Sequence, residues 1–218
     1  MNQAVKIIVC AVATLTTHAS NANLLSNASF ESGDLTSWNS SAGIGVVVGS
    51  SLSMNPSTPF GGSYFFSASR TDGASYGASK IISISQLVGL DDSIKFLSAG
   101  GYFSGAFGVG NPSNDLAQIS LSFFAAGELI ETVATPKIDP LVGAWNHLTL
   151  NSIAVPMGAT HLIFEVSTFL DPGFSSIDIG VDELILSAVP EPTAIYLALA
   201  GVGAIALRHN SRAIRKIA

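Results

Sequence analysis

"QISLSF", residues 118–123, sets Ile119, Leu121 and Phe123 on one side of an extended chain and Gln118, Ser120 and Ser122 on the other. Apolar residues at period two mark a strand with one buried face, because successive side chains leave a strand in opposite directions. The same alternation recurs on both sides of it. "HLIFEVST" (161–168) groups Leu162, Phe164 and Val166, and "IISIS" (81–85) groups Ile82 and Ile84. Further apolar stretches at 44–48, 64–69, 94–98, 128–133, 145–150 and 177–186 read as strands. "NPSTPFGG", "GNPSND" and "DPGF" separate them with turn residues. About nine short strands and no convincing helical pattern predict an all-β chain folded as a β-sandwich.

Composition narrows what such a domain can do. The chain is 48% hydrophobic, yet residues 23–190 hold no uncharged apolar run near 18 residues, so the middle does not span membranes repeatedly. That segment carries four cations, Arg70, Lys80, Lys95 and Lys137, against fourteen carboxylates, a net charge of −10. Nucleic acid is excluded as a partner on this balance, since phosphate contacts need cationic patches. Divalent cations and neutral polysaccharide are compatible with it.

The N-terminal stretch has Lys6, an apolar run from Ile7 to Leu15, and Ser20-Asn21-Ala22 as a small-x-small site. This is the pattern of a cleaved secretory signal over residues 1–22, with Asn23 as the mature start and cleavage after Ala19 as the alternative. The only cysteine, Cys10, leaves with it, so disulfides, zinc-thiolate sites and a cysteine nucleophile are excluded from the mature chain.

The opposite end is tripartite over residues 188–218. Val189, Pro190, Glu191 and Pro192 precede 15 uncharged, mostly apolar residues, 193–207, and then a basic end, 208–218, with Arg208, Arg212, Arg215 and Lys216. As a helix the apolar run reaches roughly 22 Å, short of a roughly 30 Å hydrocarbon core, and its Ala and Gly are weakly apolar, so it would make a poor permanent transmembrane anchor; a soluble terminal helix is the alternative. This tail resembles a PEP-CTERM sorting signal. The resemblance implies a chain exported through the inner membrane of a Gram-negative bacterium, held there transiently, and processed by an exosortase. Release to the cell surface or a biofilm-type extracellular matrix would follow.

A second resemblance covers residues 23–187. "NLLSNASFESGDLTSW" opens the segment, "SSIDIGVDELILS" closes it, and "GGSYFFSAS", "ISQLVGL", "AWNHLTL" and "THLIFEV" lie between in that order. These motifs are similar to those of galactose-binding-like jelly-roll carbohydrate-binding modules. The resemblance implies a single jelly-roll-type sandwich whose first and last strands are tied by a structural Ca²⁺. Glu31 of the opening motif and Asp182 of the closing one would be ligands, with Asp34 and Asp178 as lesser candidates. In a regular strand Asp182 shares the side of Leu184 and Leu186, and a carboxylate there needs a partner. Ca²⁺ and backbone N–H groups both qualify.

Sugars stack on aromatic faces, and Trp145, Tyr76 and Tyr102 are the candidate binding residues. Trp145 shares parity with His147 and Thr149, away from Leu148 and Leu150; Trp38 is expected to cover the core. Gly73-Ala74-Ser75-Tyr76-Gly77 matches the nucleophile-elbow pattern of serine hydrolases, but "KIISIS" after it reads as a strand where that elbow needs a helix. His147 and His161 sit among strand residues. No catalytic constellation emerges. The expectation is a non-enzymatic, exported, polysaccharide-associated module, with a small polysaccharide-active enzyme or a purely structural surface protein as alternatives.

Overall fold

The computed structural model describes residues 22–41, 46–49, 58–68, 81–105, 115–171 and 177–189. The compact unit is Asn23–Ala188. The expected leader up to residue 21 and the sorting tail from Pro190 onward lie outside the described residues, as do Tyr76 and the Gly73–Gly77 motif. Among the described residues no helix is long and apolar enough to cross a membrane.

Among the described residues ten strands form two sheets: β1 (Asn39–Ser40), β2 (Val46–Val48), β3 (Phe65–Ser67), β4 (Ile81–Gly89), β5 (Phe96–Gly105), β6 (Leu116–Ala125), β7 (Glu128–Ala134), β8 (Asn146–Ala154), β9 (His161–Phe169) and β10 (Ile179–Val189). The first sheet has the order β1-β4-β9-β6-β7 and the second β2-β3-β10-β5-β8. All strand pairs whose register is resolved are antiparallel. The alternating stretches of the sequence meet one another at the centre of the first sheet. Ile119, Leu121 and Phe123 of β6 lie opposite Val166, Phe164 and Leu162 of β9, and all six are buried. Each such side chain contributes on the order of 1.5–3 kcal/mol by leaving water, so the serines between them can stay on the outer face. A two-residue turn, Ala126–Gly127, joins β6 to β7, and both residues take positive φ (50° and 86°) as a tight hairpin of the primed kind requires.

The second sheet covers this layer with Leu97 and Phe103 of β5, Leu148 and Leu150 of β8, and Val181 and Leu184 of β10. Phe30 and Trp38, from the opening motif, close one part of the core. Their rings are 5.7 Å apart, Phe30 meets Phe66 at 5.9 Å, and Trp38 meets Phe164 edge-on at 6.1 Å. Asn27 organises this motif: its side-chain amide donates to Asp34 O and Thr36 O and accepts from Ser32 N, while its backbone carbonyl accepts from Trp38 Nε1. Gln86 is buried between strand neighbours and grips the N-terminal segment, accepting from Ser26 N and donating to Ser26 O and Ser37 O.

The first and last segments of the unit are joined directly. Asn23 bridges to Ser187, Leu24 N donates to Leu186 O at 2.7 Å, and the Asn23 side chain donates to Leu184 O and accepts from Leu186 N. Leu184 N also donates to Ala28 O.

Candidate functional site

The loop Phe60–Tyr64, reading Phe-Gly-Gly-Ser-Tyr, precedes β3 and gathers most of the residues that the sequence singles out. Two carboxylates hold its backbone. Asp182 Oδ2 accepts from Phe60 N (2.9 Å) and Gly61 N (3.1 Å). Glu31 Oε1 accepts from Ser63 N (2.8 Å) and Tyr64 N (3.0 Å), and its Oε2 also accepts from Ser63 N. The two glycines let the loop pass this close. A Cβ at Gly61 would lie 2.5 Å from Glu183 Oε1, and one at Gly62, where φ is +63°, would run into the Glu31 carboxylate.

Asp182 does not take the side that regular alternation assigns it. Glu183 has φ +47°, and the alternation changes phase there: Ile179 and Val181 are buried before it, Leu184 and Leu186 after it. Val181 and Leu184 thus share the core, and the Asp182 carboxylate meets the loop instead. It is fully buried, and Oδ1 accepts from Glu183 N at 2.7 Å. Burial pushes its carboxyl up to about 6, with the neighbouring Glu183 adding to the rise and the N–H donors of Gly61, Glu183 and Phe60 opposing it.

Glu31 and Asp182 therefore reach one loop from opposite ends of the chain, each through N–H bonds. Backbone N–H groups, one of the two partners expected for Asp182, are in contact with it. Among the described residues no three His, Cys, Asp or Glu side chains converge as metal ligands. As arranged, the residues do not fit a calcium cage built of side chains. Asp34 is turned to its own loop, where bonds from Thr36 and Ser32 hold its carboxyl below the usual range. Asp178 N donates to the buried Asp115 carboxylate, which also accepts from Asp171 N.

Two of the three aromatic candidates, Tyr102 and Trp145, are brought together on the outer face of the second sheet. Tyr102 and His147 are register partners on β5 and β8, and their rings stack with centroids 4.6 Å apart. Phe60 stacks on Tyr102 at 3.6 Å and 13°, and meets Trp145 edge-on at 6.3 Å. Trp145 also packs edge-on against Phe65, which forms a small apolar cluster apart from the main core with Val48 and Trp145. Tyr102 thus has a ring on each side, so it is no open platform in this arrangement. Phe60 is the ring that faces outward, 46% exposed. Sequence reasoning left Phe60 inside a surface loop; the Gly-Gly after it is the one local signal of a tight approach. His161 lies elsewhere, stacked on Phe124 and hydrogen-bonded to Thr160 Oγ1.

No family model and no curated protein matches this chain. Solved structures do match its fold. The CBM22-1 xylan-binding domain from Paenibacillus barcinonensis Xyn10C is 13% identical, covering 78% of this chain and 97% of its own, with a TM-score of 0.54. A cyclase from Fischerella sp. TAU is 17% identical over 78% of this chain and 98% of its own, also at 0.54. The enzymatically active domain of bacteriophage CBA120 tailspike protein 4 is 17% identical over 77% of this chain, but only 21% of its own length is covered, at 0.53. The chain has the two-sheet antiparallel fold of carbohydrate-binding modules, a fold that cyclases also use.

Proposed function

We propose that this chain is an exported, non-catalytic module that associates with extracellular polysaccharide. The observation that carries the reading is the row Phe60, Tyr102 and His147, with Trp145 beside it, on the outside of a sandwich. Rings at the surface, of which Phe60 is 46% exposed, add little to the core. They suit a ligand that presents C–H groups and hydroxyls together, as a sugar does. The likeness in fold to a xylan-binding domain supports the same class of ligand.

The route to the outside rests on the termini. A leader over residues 1–22 starts export, and the PEP-CTERM-like tail holds the chain in the inner membrane until an exosortase removes it. Val189 ends β10, so processing near Pro190-Glu191-Pro192 leaves the sandwich whole. The likeness to a cyclase keeps an enzyme on the same scaffold as the competing reading.

The test is retention of the purified chain on a panel of insoluble polysaccharides, run beside reducing-sugar release from the soluble forms. Retention without turnover supports the module. Turnover establishes the enzyme, and neither result leaves the purely structural alternative. Intact mass of the extracellular form should lack the residues after the Pro-Glu-Pro motif; recovery of Ala218 would overturn the sorting route.

A further inference from the structure

Beside the aromatic row lie two buried polar atoms with no hydrogen-bond partner among the described residues, Ser104 Oγ and Trp145 Nε1. An orphaned buried donor or acceptor forfeits its hydration without recompense, so a pair of them calls for an explanation. They are neighbours by register. Phe103 lies opposite Asn146, so Ser104 and Trp145 flank the same pair on the two strands. Alternation puts Ser104 on the side of Tyr102, and the contacts of Trp145 with Phe60 and Phe65 put its ring on that side too. Ser104 is fully buried, so its hydroxyl is a fixed feature of the floor and no mobile surface group.

We propose that Ser104 Oγ, Trp145 Nε1 and the face of Tyr102 now covered by Phe60 form a subsite for one neutral sugar residue, with the Phe60 side chain as its gate. The inference rests on the polysaccharide reading and adds the place and the charge of the ligand. The indole donates, and the serine hydroxyl both donates and accepts, so a sugar hydroxyl satisfies both at once. Phe60 occupies the position a sugar ring would take, stacked on Tyr102 with His147 supporting the other face. Rotation of the Phe60 side chain alone opens that face, because its backbone N–H stays on Asp182. Charge selects against acidic glycans. Asp182 and Glu183 lie under the same loop. The described cations are engaged elsewhere, Lys95 with Asp92 O and Lys137 over the Phe169 ring.

The two tryptophans make the experiment direct, since the Trp38 indole is bonded to Asn27 O and serves as internal reference. Indole ¹H–¹⁵N resonances of the full chain in mild detergent are followed during titration with xylohexaose and β-1,4-galactotetraose. Alginate oligomers serve as the acidic control. The neutral sugars should move the Trp145 resonance and leave Trp38 in place, and alginate should move neither. Phe60→Ala should bind roughly two- to tenfold tighter, because no aromatic pair is broken on entry, and Trp145→Phe or Ser104→Ala roughly two- to tenfold weaker. Binding that leaves Trp145 unmoved, or that none of the three variants alters, overturns the subsite and leaves the polysaccharide reading standing. If neither sugar binds the wild type or Phe60→Ala, while polysaccharide still retains the chain, the subsite is wrong. If retention fails as well, both readings fall.

Discussion

The buried Asp182 carboxylate should make the sandwich less stable at neutral pH than in mild acid, and replacing it by Asn should remove that dependence. Its folded-state value of about 6 stands above the ordinary 3.8. At roughly 1.36 kcal/mol per unit, keeping the charge buried costs about 3 kcal/mol once both states are ionised. The group is raised, so its favourable contribution is complete below the unfolded value and disappears as pH rises through 6. About 2 kcal/mol of the change falls between pH 4.5 and 7, which lowers Tm by roughly 4–8 °C for a unit of this size. Asp139, raised by burial and by Asp171, acts in the same sense. Asp34 and Asp91, both lowered by local hydrogen bonds, act in the opposite sense but only at the acid end, below their ordinary 3.8. Comparison with Asp182→Asn isolates the one group. The Asn variant resembles the protonated side chain, so it should exceed wild type at pH 7 and approach it as pH falls toward 4.5. Thermal unfolding of residues 23–188 by circular dichroism, in chelator, reads both curves. A wild-type Tm that is level or rising over this range, with Asp182→Asn the less stable protein at pH 7, refutes the reasoning. Calcium should leave both curves in place when N–H groups are the true partners of Asp182. A calcium-dependent rise that the Asn variant abolishes would instead restore the ion.

Gly62→Ala should cost on the order of 1–3 kcal/mol, because the new Cβ must take a left-handed φ and enter the space of the Glu31 carboxylate; the shift in Tm reports it. Leu121→Ala, at a fully buried position in β6, should cost about 2–5 kcal/mol with an unchanged urea m-value. Gln86→Ala should leave the Ser26 amide without its acceptor, at about 1–3 kcal/mol, and faster hydrogen exchange at that amide would locate the loss.

The period-two stretches were readable because one face of each strand is buried and the other wet. β6, β9 and β4 met that condition, with serines on the wetter face of β6 and β4 and with Ile163 and Glu165 on that of β9. β5 runs on to Gly105, well past the 94–98 expected, since Gly100 and Gly101 carry no side chain for a hydrophobic pattern to register. Gly101 is nonetheless a core position: a Cβ there would lie 2.5 Å from Leu184 Cδ2. β1 has two residues and no pattern to read. At the site, Tyr102 and Trp145 were identifiable as aromatics, but their common neighbour Phe60 lies more than forty positions before Tyr102. Its place over them depends on a loop held by Asp182 across the sheet. The side taken by Asp182 was misread for a local reason. One left-handed residue, Glu183, reverses the parity, and nothing in "GVDELIL" announces it.

The position of β10 in its sheet has a bearing on the order of events when the chain is made. Among the described residues it is the last strand in sequence, and it lies between β3 and β5, not at an edge. Until residues 179–189 have emerged, β3 and β5 each present an unpaired backbone edge, and Asn23 and Leu24 lack the strand they bond to. A chain threaded N-terminus first thus cannot complete its second sheet until nearly the whole unit is out. Meanwhile its two half-sheets carry open edges of the kind that pair with other chains. Truncation at Ile177 should therefore yield an aggregating species instead of a smaller folded domain, and on the export route proposed above the sandwich assembles only after its last strand has crossed.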